Sequence, residues 1–153
     1  MHMKLLALVF LAACSAADLV TIHNGGDFGI QLQVQEPKEA GSKVGVIEGL
    51  QGDIWNTEPG SGHFTLGGTE LVLSIAEDGK GLELHSPDDD ISSQVLFLGH
   101  RLISNPQIDP VTCATLAPEL NGALSIEMQE CDITSELADT QAWWAVPTSD
   151  GLI

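Results

Sequence analysis

Several groups of side chains in this sequence have the makings of a chemical site, and spacing decides between them. Asp88-Asp89-Asp90 sets three carboxylates in a row, the ligand type that hard cations such as calcium prefer. The alternating ligands of a calcium loop are missing, and the run follows Pro87 in a polar stretch, so a solvated turn is expected. His23, His63, His85 and His100 fall at none of the spacings that bring two imidazoles onto one metal. Gly60-Ser61-Gly62 lacks the Gly-x-Ser-x-Gly pattern of a nucleophile elbow, with no acid and base tied to it. The 22 acidic residues make some carboxylate pair inevitable, so a pair alone does not indicate glycoside hydrolysis. The expectation is a protein that binds and does not catalyse, with no cofactor and no metal.

Two of the three cysteines, Cys113 and Cys131, lie in the body of the chain. A bridge between them would close an 18-residue interval and stabilise by about 3 kcal/mol on a loop-entropy estimate. Two cysteines without a nearby histidine pair leave zinc short of ligands. Oxidation requires an exported chain, and the first residues have that character. A short, weakly positive start ending at Lys4 precedes the apolar run Leu5–Ala13 and the small residues Ser15, Ala16 and Ala17. That is the order of a secretory leader, and the apolar run is too short to span a bilayer. Residues 1–17 are therefore expected to be a signal peptide and 18–153 one domain in a secreted, extracellular protein. Leu11-Ala12-Ala13-Cys14 also matches a lipobox, which would instead leave the protein anchored through a lipid on Cys14.

Net charge is the strongest compositional signal. The whole chain sums to −17, and loss of Lys4 with the leader leaves four cations against 22 acids. Such a surface repels phosphate backbones and anionic headgroups, which disfavours nucleic acid and membrane surfaces as partners. Tyrosine is absent, and phenylalanine and tryptophan together number seven.

These residues must be positioned by strands, because helical periodicity is hard to find after the leader. Ile30–Val34, Glu70–Ile75, Gly81–His85 and Leu124–Met128 alternate apolar and polar residues between Gly, Pro, Asn and Asp punctuation. Three segments share one order of events: an alternating strand, a glycine-containing turn, a second strand, a polar loop and a short apolar terminator. Gln33, Ser74 and Thr115 hold matching positions 41 residues apart each time, and the terminators are Asp53-Ile54-Trp55, Gln94-Val95-Leu96 and Gln141-Ala142-Trp143. Units of about that length, each with roughly four strands, predict an all-β, pseudo-threefold barrel.

At this point the chain resembles ricin-type β-trefoil lectins, whose repeats end in Gln-x-Trp. Gln141-Ala142-Trp143 matches in full, Gln94-Val95-Leu96 keeps the glutamine and Asp53-Ile54-Trp55 keeps the tryptophan. The resemblance covers nearly all of residues 18–153 and implies a β-trefoil with pseudo-threefold internal repeats, with Trp55, Leu96 and Trp143 packed at its centre. It also implies an intra-repeat disulfide between Cys113 and Cys131. Carbohydrate or glycoprotein is the partner class it implies. Family sugar sites use an aspartate acceptor, an aromatic ring and an asparagine from one repeat. Here the acceptor position holds Gln33, Ser74 or Thr115, the ring position Ile47, His85 or Gln129, and the asparagine position Gly52, Ser93 or Thr140. The second unit departs least, so Ser74, Glu83, His85 and Ser93 are the candidate ligand-binding residues. The alternatives are a β-trefoil proteinase inhibitor presenting the loops 85–93 or 104–110 to a proteinase, and a secreted effector or structural protein with no sugar site.

Overall fold

The computed structural model describes residues 18–57, 63–87, 96–98, 102–104, 110–131 and 138–148. The leader, Cys14 and Asp88–Asp90 lie outside them. The chain is all-β, as its alternating pattern predicts. In order the strands are β1 (Asp18–Asn24), β2 (Ile30–Val34), β3 (Lys43–Glu48), β4 (Trp55–Thr57), β5 (Phe64–Leu66) and β6 (Val72–Ile75). They continue as β7 (Leu82–His85), β8 (Leu96–Leu98), β9 (Leu102–Ser104), β10 (Thr112–Pro118), β11 (Leu124–Glu130) and β12 (Trp143–Pro147). A four-residue helical turn, α1 (Ala138–Gln141), precedes β12 and is too short for any periodicity to announce it.

Alternation sets the inward face. On β2, Ile30, Leu32 and Val34 are buried and the two glutamines between them half-buried. On β7, Leu82 and Leu84 point inward while Glu83 and His85 point outward. β6 departs from the pattern, because all four of its residues are buried. The hairpins turn on Asp78-Gly79 and Asn121-Gly122, whose glycines take φ of 75° and 84°, conformations that cost an L side chain energy.

Seven strands close a barrel in the order β1-β2-β3-β7-β6-β5-β4, with β4 returning to pair β1. β12 runs antiparallel along β1, and β11-β10-β9-β8 form a second sheet. One core serves all of it: Ile22, Leu32, Phe64, Leu84 and Ile103 share a single buried cluster with Trp55 and Trp143. Both indoles have no exposed surface, and each buries roughly 150–250 Å². The side chain of Leu96 lies outside the described residues. Cys113 and Cys131 are joined by a disulfide with Cα atoms 5.0 Å apart, tying the start of β10 to the end of β11.

Candidate functional site

The second unit offers its polar groups on the β6–β7 hairpin, where Ser74 pairs with Glu83 and Val72 with His85. Register aligns the candidates, but burial separates them. Ser74 has no exposed surface, and its hydroxyl donates to the Val72 carbonyl at 3.2 Å. Glu83 and His85, two residues apart on a strand, share its outer face. His85 Nε2 lies 2.7 Å from Glu83 Oε1, and each side chain keeps 18% of its surface exposed. A carboxylate only accepts, so Nε2 carries the hydrogen of that bond. The Glu77 amide donates to the same oxygen at 3.4 Å. The result is a fixed, surface-facing carboxylate with a flat ring beside it. Ser93 lies outside the described residues, as do 88–93 and 105–109, the main parts of the two candidate inhibitory loops.

The third unit turns its matching residue inward as well. Thr115 is buried and donates to the Cys113 carbonyl at 3.0 Å, while Gln141 Nε2 donates to Thr115 Oγ1 at 3.1 Å and to the Glu130 carbonyl at 2.8 Å. Trp143 Nε1 donates to the Ala114 carbonyl at 2.9 Å. The expected ring position, Gln129, donates to Glu127 at 3.0 Å instead. In the first unit, Gln33 stays half-buried on β2. The asparagine position there is Gly52, where a Cβ would collide with the Leu32 carbonyl. Asp53 beside it accepts from the Val34 amide at 2.7 Å and from Lys38 Nζ at 2.6 Å. That hydrogen bond to Asp53 holds the Lys38 ammonium above its usual pKa.

Sequence reasoning passed over a second polar surface. Cross-strand register places Trp144 of β12 beside His23 of β1, and His23 beside Gln31 of β2. An open groove of about 420 Å³ adjoins that row. The signal was present: strand alternation forces Trp144 outward once Trp143 is core. Among the described residues no group of three or more His, Cys, Asp or Glu could hold a metal, and no helix is long and apolar enough to cross a membrane.

No protein-family model matches the sequence, and no curated protein resembles it significantly. Solved structures do share its fold. The β-trefoil lectin of the Vibrio vulnificus hemolysin/cytolysin, solved with N-acetyl-D-lactosamine bound, superposes with a TM-score of 0.64 at 15% identity, over 88% of this chain and 98% of the lectin. The mdaA-1 domain superposes with a TM-score of 0.68 at 18% identity, over 88% and 92%. The Haemophilus ducreyi cytolethal distending toxin superposes with a TM-score of 0.63 at 15% identity, over 86% and 84%. At these identities the likeness is one of fold.

Proposed function

We propose that this protein is a secreted, non-catalytic, lectin-like carbohydrate-binding protein built as a pseudo-threefold β-trefoil. The observation that carries the reading is the superposition along nearly the whole of a sugar-bound β-trefoil lectin. The trefoil repeat is supported by pairings that recur in chain order. The first and second strands of each unit meet at one residue pair, His23 with Gln31, Thr65 with Val72 and Ser104 with Cys113. The second and third strands then form a hairpin in every unit. Secretion is supported by the leader-like residues 1–17 and by the Cys113–Cys131 disulfide, which an oxidising compartment maintains.

Sugar is met on the second unit by Glu83 and His85; the fourth candidate, Ser93, lies outside the described residues. Glu83 accepts from sugar hydroxyls and His85 offers its ring, while Ser74, buried and bonded within its own strand, does not reach the sugar. Single sites of this kind are shallow, and multivalent glycans raise their apparent affinity. The test is a glycan array together with retention on immobilised galactose and N-acetylgalactosamine. Retention is expected for the native protein, falling about tenfold or more in Glu83→Gln, since a bond to a charged group contributes roughly 1.5–3 kcal/mol. His85→Ala weakens retention and Gln129→Ala leaves it unchanged. A native protein silent on every glycan overturns the proposal.

A further inference from the structure

The groove between β1, β2 and β12 differs from the rest of this acidic molecule. Thr21, His23, Gln31, Leu50, Gln51 and Val146 are among its lining residues, and among the described residues no carboxylate or ammonium lines it. Asp27 and Glu48, close in sequence to the lining residues Gly29 and Gly49, are not part of the lining. In a chain of net charge −17 a groove whose described lining carries no acid is conspicuous. The two aromatic side chains exposed among the described residues each neighbour a lining residue: Phe28, 54% exposed, precedes Gly29, and Trp144, 43% exposed, is paired with His23. Phe28 meets His23 edge-on, with ring centroids 5.5 Å apart, and Trp144 is the register partner of His23.

The polar groups are built in. His23 Nδ1 donates to the Phe28 carbonyl at 2.8 Å, so its Nε2 accepts from the Thr21 hydroxyl at 2.6 Å. The imidazole therefore works as a strut that holds Phe28 in place. Gln31 Oε1 accepts from the Gly52 amide at 2.9 Å, which orients its Nε2 donor. The carboxamide of Gln51 stands exposed at the groove. Carboxamides that donate and accept without charge, beside rings with exposed apolar faces, match a pyranose, which has hydroxyls at its edge and C–H groups on its face.

We infer that this groove is a second saccharide site, specific for neutral sugars, with Trp144 as the stacking ring and Gln31 and Gln51 as the hydroxyl partners. The inference rests on the carbohydrate-binding reading, yet none of these residues occupies the acceptor, ring or asparagine positions, Gln33, Ile47 and Gly52, that the lectin resemblance maps onto this unit. Anionic sugars are disfavoured there, since the field of the surrounding acids opposes them.

Tryptophan fluorescence provides the readout. Of the three tryptophans, Trp55 and Trp143 have no exposed surface, so quenching by acrylamide reports Trp144. Titrating the full chain in a His85→Ala background with lactose and N-acetyllactosamine is expected to protect Trp144 from quenching. A sialylated counterpart protects at least tenfold less well. Gln51→Ala, an exposed substitution, shifts the titration at least tenfold, and Trp144→Ala abolishes residual retention on immobilised lactose, with circular dichroism verifying the fold of each. If the native protein binds neutral glycans while Trp144→Ala and Gln51→Ala bind equally well, the groove assignment fails and the lectin reading stands. If the native protein binds no glycan, both fail.

Discussion

The first and third units end alike and are held differently. Each closes on a tryptophan with no exposed surface, Trp55 and Trp143, in one shared core. In the third unit the Trp143 N–H reaches the Ala114 carbonyl at 2.9 Å. Leu32 holds the corresponding position in the first unit, but its carbonyl is already taken by the Asp53 amide at 3.1 Å. Among the described residues Trp55 Nε1 has no partner. The residue opening each terminator shows the same inversion. Gln141 donates, to Thr115 and Glu130, whereas Asp53 accepts, from Val34 and Lys38. The third unit is also closed covalently between Cys113 and Cys131, and the first by the Lys38–Asp53 ion pair. The apolar volume of the indole is therefore the shared requirement, while the polar groups around it are arranged locally and by different means.

The largest difference to be measured is the covalent one. Replacing both Cys113 and Cys131 by serine is expected to lower the unfolding free energy by about 3 kcal/mol in urea, and reducing the native protein should reproduce that loss. An unchanged midpoint would show that the third unit is held by packing alone. Next come the two indoles. Trp143→Phe strips the Ala114 carbonyl of its donor, whereas Trp55→Phe deletes an N–H that has no partner, so the first should cost roughly 1–3 kcal/mol more. Equal costs in parallel urea titrations would erase the distinction between the units. The smallest effect belongs to Lys38, whose side chain is 34% exposed. Lys38→Met should cost under about 1 kcal/mol. The hydrogen bond to Asp53 raises the Lys38 pKa above 10.5 on folding. Its contribution is therefore complete below 10.5 and vanishes as pH rises through the folded value. The native advantage over Lys38→Met should thus be present at neutral pH and fade in strongly alkaline solution.

Much of the fold was legible from residues because alternation is a local property. The alternating stretches Ile30–Val34, Gly81–His85 and Leu124–Met128 fall on β2, β7 and β11 to within a residue or two at their ends, and Trp55 and Trp143 are buried as their terminator positions imply. The candidate site was less legible. Glu83 and His85 are brought together at the surface as their spacing on one strand requires. Ser74 fits the same alternation pattern, yet β6 is covered on both faces and the hydroxyl is sealed inside. Alternation tells which residues share a face and leaves open whether a neighbouring element covers that face. The groove was missed for a related reason: His23 and Trp144 are 121 positions apart in the chain, and only the β1–β12 register makes them neighbours.

The sequence by itself determined the strand pattern, the acidic excess and, by cysteine count, the candidate pairing of Cys113 with Cys131, because these follow from residue type, number and short-range period, while the lectin resemblance implied the two buried tryptophans. The tertiary structure alone decided which polar groups face solvent, that Leu32 gives its carbonyl to Asp53 and Ala114 to Trp143, and that Trp144, His23 and Gln31 form one row. Those outcomes depend on strand register and on which backbone groups are left over once the barrel closes, and both are set by contacts between distant parts of the chain.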